Sequence, residues 1–254
     1  MRIITDSPYT MVWTEWYRKH PPHGWEELFE ELSDEFQATH ELLEKEAQKY
    51  GPWIPSPWNL FRAFQLTPRT SVKVVMVTSK PLNGYVSGTT DLRSQGLAFS
   101  VRHDDLIPQA TRLIYRELQD TILDFYPPSH GDLTDWALRG VLLLTMSLTS
   151  SPGRDQQESG NISHSRLWGY FIRRTLETVF KTNKHAVFVF FGKEVQGLRT
   201  YLSSKALILD VPYPTQSANC DEPFLGGGWF AKINQWLMDH QQTPIDWCLS
   251  PRSG

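Results

Sequence analysis

Cysteine is scarce in this chain of 254 residues: Cys220 and Cys248 are the only two, and their spacing is not that of a metal-ligand set. That argues against a disulfide-stapled scaffold and against a metal centre, and makes a reducing cytosol the expected setting. Long apolar runs are missing, so no segment reads as membrane-spanning. The opening Met1-Arg2-Ile3-Ile4-Thr5-Asp6 has no signal-peptide pattern. A cytoplasmic location with no membrane partner is expected. Positive charge is not in excess either. The net charge is −3 and the pI about 6.2, lower than a globally basic nucleic-acid binder would show. Internal repeats and flexible linkers are lacking. The expectation is one domain over residues 1–254, monomeric, with no cofactor and no metal.

What is present is uneven. Glu26, Glu27, Glu30, Glu31, Asp34, Glu35, Glu41, Glu44 and Glu46 crowd one stretch. They read as the solvated face of a helix over residues 25–49, whose other face carries Trp25, Leu28, Phe29, Leu32 and Phe36. Outside that stretch the chain is neutral to slightly basic, which leaves room for local phosphate contacts. Ten Trp and thirteen Phe imply a large aromatic core.

Further along, near-continuous apolar runs read as buried strands at 72–77, 141–146, 186–191 and 206–211. Helical spacing falls at 59–64, 108–125, 167–180, 195–202 and 229–240, with a short turn or helix at 133–137 and a polar loop at 150–161. Apolar strands alternating with helices predict an α/β fold. The expected form is a three-layer α/β/α sandwich around a central four-stranded parallel sheet. In such sheets ligands bind beyond the carboxyl ends of the strands. The loops at 78–95, 145–163, 192–194 and 212–228 lie there.

The first of these loops is the most informative. The run Val74 to Thr78 leads into Ser79-Lys80-Pro81-Leu82-Asn83-Gly84, and later into Gly96-Leu97-Ala98-Phe99-Ser100-Val101. This resembles the catalytic segment of family-1 uracil-DNA glycosylases, Gly-Gln-Asp-Pro-Tyr-His-Gly followed by Gly-Leu-x-Phe-Ser-Val. Pro81, Gly84 and Phe99 match. Ser79, Lys80, Leu82 and Asn83 stand where the family has Gln, Asp, Tyr and His. Other stretches carry the resemblance over residues 25–247. They include Gly131-Asp132-Leu133, Trp136-Ala137, Gly140 to Leu144, Leu148-Thr149, Ser163-His164 with Trp168, Phe224 with Gly226, and Pro244 to Trp247. The chain is identified on these residues as a member of that superfamily.

The resemblance implies a DNA partner from which one base is flipped out and its glycosidic bond cut. Phe99 is then the aromatic on which the base stacks. Thr145 stands at the family's base-reading Asn and discriminates less, because a hydroxyl is shorter than an amide. Tyr213 replaces a charge-stabilising His and can still donate a hydrogen bond. Gln216 or Ser217 replaces the residue that wedges into the duplex. Ser56 in the proline-rich loop, Lys193 and Thr215 suit phosphate contacts, which position DNA without specifying its sequence.

Lys80 stands where the family has a water-activating Asp, and a protonated ammonium accepts no proton. It can instead bind phosphate or a sugar hydroxyl, or form a Schiff base. Asn83 can position a water without deprotonating it. Asp91 lies in a loop longer than the family's usual connection. It is either the replacement base or a turn residue. Leu82 opens the side of the pocket that the family's Tyr closes. The expected substrate is therefore a 5-modified pyrimidine, such as hydroxymethylcytosine or its glucosylated form, with a role in defence against phages that carry such bases. The alternative is an inactive member that binds DNA or a protein partner.

Overall fold

A computed structural model describes residues 12–87, 89, 91–151, 162–215 and 223–250. Four parallel strands form its centre: β1 (Val74–Thr78), β2 (Val141–Thr145), β5 (Val187–Phe191) and β6 (Leu207–Val211), in spatial order β2-β1-β5-β6. Val74 pairs in register with Val141 on one side and Val187 on the other. Every residue of β1, β2 and β5 is buried, which is why these strands read as continuous apolar runs rather than alternating ones. A two-stranded antiparallel ribbon, β3 (Ser150–Ser151) with β4 (Ile162–Ser163), lies within the stretch expected to be loop.

The helices are α1 (Trp13–Lys19), α2 (Glu26–Glu31), α3 (Ser33–Tyr50), α4 (Arg62–Leu66), α5 (Gln109–Thr121), α6 (Thr134–Leu138), α7 (Ser165–Thr182) and α8 (Trp229–Asp239). The single helix expected over 25–49 is two, broken at Leu32, where ψ turns to 14°. The stretch expected as helix at 59–64 begins at the end of a 3-10 turn, Pro57–Asn59, and runs into α4, while that at 195–202 holds a 3-10 turn, Gln196–Tyr201. α5 links β1 to β2 in one direction across the sheet, and α7 links β2 to β5 in the other. With right-handed crossovers these two helices cover opposite faces, giving three layers.

Aromatic rings fill the layer under α1 to α4 and α7. Phe61 sits at its middle, edge-on to Phe29 at 4.8 Å, Tyr17 at 4.8 Å and Phe171 at 5.5 Å. On the opposite side Trp136, Trp247 and Phe230 pack together, and Trp136 Nε1–H donates to the Trp247 carbonyl at 2.8 Å. α5 is tied to the start of α8 by Glu117. Its fully buried carboxylate accepts the backbone N–H groups of Gly226 at 2.6 Å and Gly228 at 2.7 Å. Charge-assisted bonds of this kind satisfy amides that precede a helix and would otherwise be orphaned.

Candidate functional site

The polypeptide leaves β1 beside the end of β2. Met146 N–H donates to the Thr78 carbonyl at 2.7 Å and Ser147 N–H to the Ser79 carbonyl at 3.0 Å. The parallel pairing thus continues past the strands and holds the start of the 79–84 turn in place. The returning segment 96–101 lies along the free edge of β2, where Ala98 N–H donates to the Leu143 carbonyl at 3.2 Å. Gly96 makes that path possible. Its φ is +72°, and a Cβ there would stand 1.7 Å from the Asn59 carbonyl oxygen.

Phe99 follows, buried and at φ +64°. A non-glycine residue in the left-handed region costs about 1–3 kcal/mol and persists only where its surroundings over-determine it. Here the fully buried Thr111 hydroxyl donates to the Phe99 carbonyl at 2.6 Å. The ring is held edge-on to Phe191 at 4.9 Å and tilted 33° to Tyr213 at 6.0 Å.

Above Phe99 opens a cleft of about 470 Å³, lined by residues from the ends of β1, β5 and β6 and the start of α5. Ser79, Lys80, Leu82, Asn83, Phe99, Tyr213 and Thr215 of the expected site residues all reach it. Asn83 is buried, and its amide has no hydrogen-bond partner among the described residues. Lys80 and Leu82 are half-buried. Thr145 is buried beside Thr78 in the sheet and is not part of the wall. Ser56 and Lys193 lie outside the wall; Gln216 and Ser217 fall outside the described residues.

Asp91 lies on the surface and is not part of the cleft wall. The 85–95 insertion forms a hairpin closed by a Tyr85–Leu92 bridge, with Val86 N–H donating to the Asp91 carbonyl at 2.8 Å and Arg93 N–H to the Gly84 carbonyl at 3.0 Å. The hairpin is stapled to the following segment. Arg93 Nε reaches Asp105 Oδ2 at 2.8 Å and Arg93 Nη2 the Leu106 carbonyl at 2.8 Å. Asp91 is paired with Arg102 at 2.5 Å on the surface, and Arg102 also grips Asp104. None of the described residues of the hairpin lines the cleft. The Asp91 carboxylate is committed to Arg102. Leu82, Pro108 and Ala110 all line the cleft.

Glu194, Thr111, Pro108 and Ala110 belong to the site and are not evident from motif reading. Glu194 sits in the loop already marked at 192–194. Its signal was position alone, one residue past Lys193 at the carboxyl end of a buried strand. Among the described residues no cluster of His, Cys, Asp and Glu is arranged to hold a metal ion, and no helix is long and apolar enough to cross a membrane.

An α/β/α domain with a cleft at the carboxyl ends of its parallel strands, floored by an aromatic ring and rimmed by an amide, defines a domain of the DNA glycosylase class. Comparison with known proteins narrows this. No family model matches the chain. It is 34% identical over 229 residues to a uracil-DNA glycosylase of Azotobacter vinelandii, covering 87% of this chain and 92% of that one. It is also 34% identical over 232 residues to uracil-DNA glycosylase 1 of Listeria monocytogenes, covering 89% and 97%. The solved structure of mimivirus uracil-DNA glycosylase superposes with a TM-score of 0.76 at 22% identity, over 89% of this chain and 86% of that one, a likeness of fold. The chain belongs to the uracil-DNA glycosylase family.

Proposed function

We propose that the protein flips a pyrimidine with a bulky 5-substituent out of DNA and hydrolyses its N-glycosidic bond, leaving an abasic site. Hydroxymethylcytosine and its glucosylated form are the substrates that fit this reading. One observation carries it: Leu82 lines the cleft together with Asn83, at the position where the family's Tyr would close it. Its volume of about 470 Å³ falls in the range of about 300–1,000 Å³ that holds a small organic ligand. Phe99 supplies a rigid face for stacking, and Asn83 an amide without a partner among the described residues, for a base edge or a water. Leu82 imposes no ring against the 5-position. DNA carrying such bases, as in some bacteriophage genomes, is the natural target in this reading, and defence the corresponding role.

A second reading rests on Lys80. It places a cation at the position where the family has its acceptor carboxylate. In that reading the chain binds DNA or a protein partner without cutting a glycosidic bond.

Duplexes containing uracil, 5-hydroxymethylcytosine or glucosylated hydroxymethylcytosine, incubated with the protein and then treated with alkali, separate the two. Strand breakage at the modified cytosine is the expected result. Intact strands with all three substrates, together with retained duplex binding, would establish the second reading. Breakage at uracil alone would return the chain to the specificity named in its relatives. Borohydride trapping tests Lys80 as a nucleophile: a covalent adduct lost in Lys80→Ala marks a Schiff base.

A further inference from the structure

The cleft lacks the carboxylate that the 79–84 turn would carry in the family, yet it does not lack a carboxylate. Glu194 lines it from the loop after β5, and β5 pairs directly with β1, up to Val77 opposite Phe190. The two loops therefore emerge side by side. The Glu194 side chain folds back over its own loop. A Cβ at Gly192 would stand 2.8 Å from Glu194 Oε2 and 3.4 Å from Tyr213 Cβ. Gly192 itself is held by its N–H donating to the Val211 carbonyl at 2.8 Å, at the end of β6. The carboxylate thus lies over Gly192, on the side of that glycine on which Tyr213 also stands. It has neither a hydrogen bond nor an ion pair among the described residues. The other polar groups of the wall are hydroxyls, the Asn83 amide and the Lys80 ammonium. No other carboxylate lines the cleft among the described residues.

We propose that Glu194 is the catalytic carboxylate of this glycosylase, moved from the first strand's loop to the third's; this rests on the hydrolytic function proposed above. The C1′–N bond breaks with its electron pair going to the departing base. The developing positive charge on the sugar is stabilised by the Glu194 carboxylate. A water held by Asn83 adds its oxygen to C1′ and gives a proton to Glu194, while the base takes up a proton from solvent. Glu194 then returns its proton to solvent, and atoms and charge balance. A carboxylate is suited to both parts, electrostatic stabilisation and proton acceptance.

The test uses the full chain and the modified duplex that the wild type cuts. Glu194→Gln is expected to lower the single-turnover rate of base release by about 100-fold or more, with duplex affinity and thermal midpoint unchanged. Glu194→Ala should be equally slow and regain rate on adding sodium formate, which Glu194→Gln should not. Rescue of that kind is not produced by a merely structural residue. A Glu194→Gln protein that releases base at the wild-type rate, or that loses only duplex affinity, overturns the role of Glu194 and leaves the glycosylase reading standing. A wild type that cuts none of the three duplexes overturns both.

Discussion

Arg93 Nε and Asp105 Oδ2 meet at 2.8 Å with only 2% of the Asp105 side chain exposed. This pair decides where the insertion goes. It fastens the hairpin at Arg93 to Asp105 and Leu106. Arg93→Ala removes one partner and leaves a buried carboxylate with only the Leu106 N–H. The expected loss is about 2 kcal/mol, read by urea unfolding, with faster amide exchange at Val86 and Arg93.

Leu82→Tyr tests the open side of the cleft. A ring there takes up room in the cleft whose wall Leu82 shares with Pro108 and Ala110. Excision of glucosylated hydroxymethylcytosine should fall by about tenfold or more relative to uracil, measured as the ratio of kcat/KM values.

Phe99 and Thr111 act together. Phe99→Ala removes the stacking face, and binding of a duplex with a flipped base should weaken by about 1–3 kcal/mol. Thr111→Val keeps the shape and deletes the hydroxyl that holds the Phe99 carbonyl, at a cost of about 1–3 kcal/mol in stability. Calorimetric melting checks the second, and binding titration the first.

His164 makes stability depend on pH. Trp168 Nε1–H donates to Thr149 Oγ1 at 2.7 Å, and Thr149 Oγ1 lies 2.8 Å from His164 Nδ1. Nε2 lies 2.8 Å from Glu46 Oε2. Burial lowers the His164 pKa below the usual 6.5; the Glu46 carboxylate pulls the other way and is outweighed. The unfolded chain therefore takes the proton more readily than the folded one. The contribution of His164 is complete above about pH 6.5 and declines as the pH falls below it. The thermal midpoint should drop between about pH 7 and about pH 5, and His164→Asn should flatten that slope.

The strands were legible because strands buried on both faces leave an unbroken apolar record, as in Val187–Phe191. Their limits moved by one or two residues because pairing, not composition, ends a strand. The break at Leu32 was hidden, since Leu28, Leu32 and Phe36 stay buried on either side of it and the spacing runs on. In the site, the changed turn from Ser79 to Asn83 was readable because its residues are contiguous and their neighbours match the family. Glu194 and Thr111 were not, since their nearness to Asn83 and Phe99 comes from strand adjacency and from the packing of α5. Asp91 misled for the opposite reason. Closeness along the chain was offset by a hairpin that carries it to Arg102.

The bonds from Met146 to Thr78 and from Ser147 to Ser79 run between main-chain atoms only. Such bonds are indifferent to the side chains mounted on them. The turn can therefore exchange an acid for a lysine, or a tyrosine for a leucine, while the start of its backbone stays where it is. This separates the two histories a protein can have, one of shape and one of reactivity, and allows the second to be rewritten many times over the first.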